Sequence, residues 1–392
     1  MRFVAFLSLA FFLPALGAAD FDAVTQAGFR RVMRDFWWPG TSLIYTCPPA
    51  EVQKADFYTD GFKIWEKPGD YGHGLEDCAI IGGVALSGLC DAFEVTGNAA
   101  LRETARQVAQ GLVNLGTVHG VKGFIARGIC VEDGRSVCAL SSIDQHTHAI
   151  HGLWRYYFSP ICDDRLRSEI RRVLSEVADR MTAQVTKENG WSFQQAVGHG
   201  STGGICKMRF NRPHEGMRLA MFYAAAWAVS GDGRYRAKFR EYLDEDVAKS
   251  MELAMATPEQ MKGLLRYMPD YTLLQMQTSL ELVLATVGSD ADRERVRACM
   301  QKPAQMAAER ALRLKGRDTK YLCGCGETAL AQLMTPGFPF GADQLRTLMD
   351  AIRAQPLDSV ASSCRTVHLY AAWWRLRRRG LNVGFNGNET VK

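Results

Sequence analysis

Two kinds of helical segment alternate along this chain. In the first kind, charged and apolar residues interleave at spacings of three and four, so that one face is apolar and the other charged. Residues 22–38, 99–115, 163–185, 235–251, 291–313 and 342–354 follow this pattern. The second kind is apolar nearly all round and begins at a short polar stretch. Glu76-Asp77 leads into residues 79–89, and residues 141–151 lead into a run with Trp154. Pro213-His214-Glu215-Gly216 leads into 219–229, and Pro269-Asp270-Tyr271 into 272–285. Cys323-Gly324-Cys325-Gly326-Glu327 leads into 328–334, and residues 362–368 into the closing segment with Trp373 and Trp374. A helix that is apolar on most faces has to be shielded by other helices, and the charged segments supply that shield. The arrangement that satisfies both kinds is all-α: an (α/α)6 toroid, with six inner helices in a closed ring and six outer helices returning around it.

In such a ring the polar mouths of the inner helices converge, so residues distant in sequence share one pocket. The stretch 141–151 is the most informative of these mouths. Ser141 and Ser142 suit a helix N-cap, and Asp144 lies in the first turn, where the helix dipole favours a carboxylate. Asp144, His148, His151 and Arg155 then follow at helical offsets and share one face. The Gly-rich passage 120–134 and the stretch 188–212 read as connecting loops.

The N-terminus changes the picture of where the protein works. Arg2 precedes an apolar run over residues 3–13, then Pro14 and the small residues Gly17 and Ala19. This pattern predicts a secretory signal peptide over residues 1–19 and a single catalytic domain over 20–392, in a secreted or periplasmic protein. The apolar run is shorter than the roughly 20 residues a bilayer requires, so no stable membrane insertion is expected. Beyond residue 19 the chain carries 46 basic and 42 acidic side chains. That balance is too even for nucleic-acid binding, and the basic run 375–379 fits a helix C-terminus instead. The 11 cysteines leave at least one without an intramolecular disulfide partner, and the sequence does not determine which would pair.

The converging mouths hold the acids Glu76, Asp77, Asp144, Glu215, Asp270 and Glu327, with the histidines His73, His148, His151, His214 and His368. Two carboxyl groups across a pocket suit glycosidic bond cleavage, one protonating the leaving oxygen while the other activates water or attacks carbon. The expected catalytic residues are Asp144, Glu215, and Asp77 or Glu76. Neighbouring acids on a helix point about 100° apart, so one of the latter two faces the pocket. His148, His151, His73, His214, Arg127, Arg218 and Trp191 are the expected substrate-binding residues, and Trp65 and Tyr71 are further stacking candidates. Arg127, Arg209, Arg212 and Arg218 lie in or beside the connecting loops, and guanidinium forks there favour an anionic sugar. No cofactor is expected. His148 and His151, with Asp144 one turn earlier, could supply three metal ligands, whereas Cys323-Gly324-Cys325 is not a CxxC pair and has no second half.

This order of paired helices, with Asp77 and Asp144 at the first and second inner mouths, resembles the six-hairpin glycosidase superfamily. Within it, the resemblance is in particular to the unsaturated glucuronyl and rhamnogalacturonyl hydrolases and their relatives acting on uronic-acid glycans. The resemblance implies the (α/α)6 toroid and a glycoside hydrolase acting on an oligo- or polysaccharide that contains uronic acid. The alternatives are a polysaccharide lyase on the same fold, a sugar epimerase or isomerase relying on histidines, and a non-catalytic glycan-binding protein.

Overall fold

A computed structural model describes residues 18–52, 64–65, 72–198, 205–257, 259–260, 268–314, 322–355 and 362–381. Residues 1–17, which make up most of the expected leader, lie outside the described residues. Among the described residues there are twelve helices. The amphipathic set is α1 (Ala18–Asp35), α3 (Leu101–Leu115), α5 (Asp164–Gln184), α7 (Gly233–Met255), α9 (Asp290–Leu314) and α11 (Ala342–Arg353). The apolar set is α2 (Cys78–Thr96), α4 (Ile143–Tyr157), α6 (Arg218–Ser230), α8 (Asp270–Thr286), α10 (Leu322–Leu333) and α12 (Ser363–Arg378).

The apolar helices form the inner ring. Each packs on the next in chain order, and α12 closes the ring against α2. The amphipathic helices surround them, with α3 packed on α2 and α4, α9 on α8 and α10, and α1 on α12. The only strands among the described residues are short pairs: Trp37–Trp38 with Leu43–Ile44, antiparallel, and Ile64–Trp65 with Val137–Cys138, parallel.

Local sequence accounts for the inner packing. α2 and α4 approach most closely where Gly83 meets Gly152: a Cβ on Gly83 would lie 2.1 Å from the His148 carbonyl oxygen, and one on Gly152 2.6 Å from the Gly83 carbonyl oxygen. Any larger residue would push these helices apart and open the ring. The start of α4 is set by Ser142, whose hydroxyl accepts from the Gln145 amide.

α2 and α10 depart furthest from their expected bounds. α2 continues past residue 89 to Thr96, because Asp91 and Glu94, which look like the end of an apolar run, are partnered by arginines at the far end of the ring. That length makes α2 the one helix among the described residues long and apolar enough to cross a bilayer, but it is buried on nearly all sides by the ring. α10 begins at Leu322 rather than Thr328. Its Gly-rich first turns pack against α12, and tertiary contact overrides the low helix propensity of glycine.

Candidate active site

The N-terminal ends of α2, α4, α8, α10 and α12 meet around a cavity of about 360 Å³. Asp77, the residue before α2, lines it together with Ser142, Asp144, Gln145 and His148 of the α4 mouth. Tyr271, Leu274 and Gln275 come from α8, Glu327 from α10, and Cys364 and His368 from α12. Arg127 enters from the connecting loop. Helix N-termini carry partial positive charge, which favours the carboxyl groups gathered there.

The two aspartates have unlike surroundings. Asp144 accepts a hydrogen bond from Arg218 Nη1 at 3.0 Å and is about one-third exposed, whereas Arg218 is fully buried. The same guanidinium donates to Thr147 Oγ1 at 2.7 Å and Gln275 Oε1 at 3.3 Å, so it is clamped behind the carboxylate. Asp77 accepts from Gln145 Nε2 at 2.8 Å and lies 3.7 Å from Arg127 Nη1. Its carboxyl opens to the cavity yet is enclosed by the concave wall. Burial therefore pushes its pKa up, and Gln145 and Arg127 only partly counter that shift. His148 is pushed well below its ordinary value, by burial first and then by His368 and Arg218, so it stands as a neutral imidazole. The Tyr271 phenol is raised by burial and then by the carboxylate of Asp144.

On the α10–α12 side, the thiols of Cys323 and Cys364 lie 3.2 Å apart, and Cys364 Sγ lies 3.5 Å from His368 Nδ1. Burial would lower the His368 imidazole, but Cys364 and Glu327 carry it up to about 9. Burial pushes Glu327 up to about 7. Of the thiol pair, Cys364 is held down and Cys323 up, because the two share a hydrogen bond.

No family model matches the chain, and no curated protein matches it. Among solved structures it is similar to a sugar epimerase from a ruminal bacterium, with 10% identity over 78% of this chain and 88% of that one and a TM-score of 0.51. It is also similar to a glycoside hydrolase family 76 mannosidase from Bacteroides thetaiotaomicron, with 9% identity, 92% and 100% coverage and a TM-score of 0.54. A cellobiose 2-epimerase from Spirochaeta thermophila gives 12% identity, 92% and 97% coverage and a TM-score of 0.50. With the ring closed by α12 on α2, these likenesses settle the architecture. The chain has the six-hairpin (α/α)6 fold.

Within this six-hairpin toroid the expected residues separate into those on the cavity and those elsewhere. Asp77, Asp144, His148 and Arg127 line it, and Arg218 backs Asp144. Of the two adjacent acids, Asp77 faces the cavity, while Glu76 turns to accept from Thr46 Oγ1 at 3.2 Å. Glu215 is outside the lining. It sits in a short 3-10 turn, Pro213–Glu215, where its carboxylate accepts from the Arg212 amide at 3.2 Å and closes the turn. His214 is buried in that turn and pushed down to about 3, by burial and then by Arg218 and Arg212. His73 is exposed and away from the cavity.

His151 shares the face of Asp144 as expected, but two turns along the helix it lies in a buried ionic cluster instead of the cavity. Its Nε2 bonds Glu281 Oε2 at 2.8 Å, and Arg155 beyond it bonds Asp91 at 2.6 Å. Trp191 also lies elsewhere, beneath the Arg209 guanidinium at 4.3 Å and edge-on to Phe210. Arg209 itself is paired with Glu245 at 2.5 Å. The side chain of Trp65 and all of Tyr71 lie outside the described residues.

The sequence reading missed Gln145, Tyr271, Gln275 and Cys364 as lining residues. The available signal was helical phase: Gln145 lies three residues before His148 on α4, Tyr271 four before Gln275 on α8, and Cys364 four before His368 on α12.

Proposed function

We propose that this protein is a carbohydrate-active enzyme that cleaves a glycosidic bond in the mouth cavity, with Asp77 as general acid and Asp144 as general base. The reading rests on one observation: two carboxyl groups from adjacent inner helices share a cavity but differ in environment. Divergent environments assign opposite roles to like groups. Asp77, displaced upward by burial, is the member of the pair better suited to give a proton to the leaving oxygen. Asp144, facing a clamped guanidinium, accepts the proton of the attacking water. Gln145 holds Asp77 in place, because its amide donates to the Asp77 carboxylate and to the Glu76 carbonyl at 2.9 Å. An anionic sugar would seat its carboxylate on Arg127, and export through the N-terminal leader fits an extracellular glycan.

His148 favours a second reading, epimerisation, since a neutral imidazole on the cavity wall can take a proton from a carbon next to a sugar carbonyl. Proton NMR on manno-, gluco- and uronate-containing oligosaccharides separates the readings. Hydrolysis releases new reducing ends, epimerisation converts one sugar into another without cleavage, and a lyase leaves an unsaturated product. Hydrolysis that falls by roughly 10²–10⁴ in both Asp77→Asn and Asp144→Asn is the expected result. Full activity in both variants would overturn the assignment.

A further inference from the structure

Two neighbouring inner helices each present a pair of metal-ligating side chains. α10 supplies Cys323 and Glu327, and α12 supplies Cys364 and His368. Each pair is spaced i, i+4 and so lies on one helix face. Gly326 allows the two faces to meet: a Cβ there would lie 2.7 Å from the backbone of His368. The four donor atoms fall within 4.8 Å of one another. Cys323 Sγ is 3.2 Å from Cys364 Sγ, 3.4 Å from Glu327 Oε1 and 3.9 Å from His368 Nδ1, and Cys364 Sγ is 3.5 Å from that nitrogen.

A tetrahedral zinc ion bound at about 2.0–2.3 Å has ligand-to-ligand edges of roughly 3.3–3.8 Å, so these spacings need only small adjustments to hold one. A disulfide would need the two sulfurs at about 2.05 Å. The glycosidase reading uses none of these four side chains, and a buried acid, an imidazole and two adjoining thiols on one cavity wall call for a partner.

We propose that Cys323, Glu327, Cys364 and His368 form a zinc site in the wall of the mouth cavity. Two thiolates, an imidazole and a carboxylate select a borderline-soft divalent ion over magnesium or calcium. Binding releases the remaining thiol protons. It also releases the His368 Nδ1 proton, which otherwise is donated to the Cys364 carbonyl at 2.7 Å. Because Glu327, Cys364 and His368 line the cavity, the ion is reachable from it, while Cys323 anchors it from behind.

The test is metal content and Co(II) absorption of the full-length protein, purified without chelator, and neither readout depends on turnover. About one zinc per chain is expected. Co(II) in its place should give thiolate charge-transfer bands and the intense ligand-field bands of a tetrahedral site. Cys364→Ser and His368→Gln should weaken zinc by roughly 100-fold or more, while Cys162→Ser leaves it unchanged. Where a variant fails to fold, zinc protection of Cys323 and Cys364 from alkylation in the wild-type protein gives the same answer. A folded wild-type protein that takes up neither metal would overturn the proposal, as would a Cys323–Cys364 disulfide or unaltered zinc affinity in Cys364→Ser.

Discussion

The two ends of the inner ring are built from the same six helices and are equally rich in ionisable groups, yet they handle charge in opposite ways. At the end away from the cavity, Asp91, Glu94 and Glu281 face Arg155, Arg375 and Arg378, with His151 added. Arg375 bonds Asp91 at 2.5 Å and also bonds Glu281, while Arg378 bonds Glu94 at 2.5 Å. The groups balance and close on one another, forming an ionic plug. At the mouth, Asp77, Asp144 and Glu327 meet Arg127, Arg218 and His368 around a cavity, and both Asp77 and Glu327 are still displaced upward because burial exceeds their pairing. Charges that close on one another on buried surfaces hold a fold together, whereas carboxyl groups left short of compensation on a cavity wall are available to a substrate or an ion.

The largest expected effect of breaking this contrast is at the plug. Arg375→Leu leaves Asp91 and Glu281 buried without their shared partner and should destabilise the protein by about 3–5 kcal/mol, measured by urea unfolding. Acid titration gives a smaller effect whose sign differs between the ends. Burial would raise Glu281, but Arg375 and His151 outweigh it and hold the group below its ordinary 4.5. A depressed carboxylate contributes its stability fully above the unfolded value, and that contribution drains away as pH falls through the folded one. Glu281→Gln should therefore flatten the acid limb of the stability curve.

Asp77 has the opposite sign. Its folded value is raised, so its ionisation at neutral pH works against folding. Asp77→Asn should raise the unfolding midpoint at neutral pH and change little in acid, where both side chains are neutral. The same substitution removes the alkaline limb of kcat/KM if Asp77 is the proton donor. The smallest effect is expected at Arg127. Arg127→Gln should raise KM roughly tenfold for a uronate-bearing oligosaccharide and leave KM for a neutral one unchanged.

The ring itself was legible in the sequence because burial writes a long, redundant signal: six apolar runs, each next to an amphipathic partner, predict the layers and their order. Asp77, Asp144 and His148 were legible for a related reason, since helix mouths must converge in a closed ring. What the pattern could not convey was depth along the barrel axis. Asp144, His148, His151 and Arg155 share one face, and that face begins in the cavity and ends in the plug, so its last two members serve the fold. Glu215 lies outside the lining, where its carboxylate closes its own turn, as an acid in a first turn can. Glu327 and His368 were legible as residues of converging mouths, but the four-donor cluster with Cys323 and Cys364 was not, because only the seating of α10 on α12 at Gly326 brings its donor atoms within 4.8 Å of one another.

The most direct test of the contrast between mouth and plug pairs one isosteric substitution from each end. Turnover per folded molecule and unfolding free energy are measured for Asp144→Asn and Glu281→Gln on the oligosaccharide that the wild-type protein converts. The expected result is that Asp144→Asn, whose amide oxygen can still accept from Arg218, loses nearly all turnover per folded molecule, while Glu281→Gln loses stability and keeps its turnover. Wild-type turnover in Asp144→Asn, or a Glu281→Gln protein that is stable but inactive, would contradict the division of roles between the two ends of the ring.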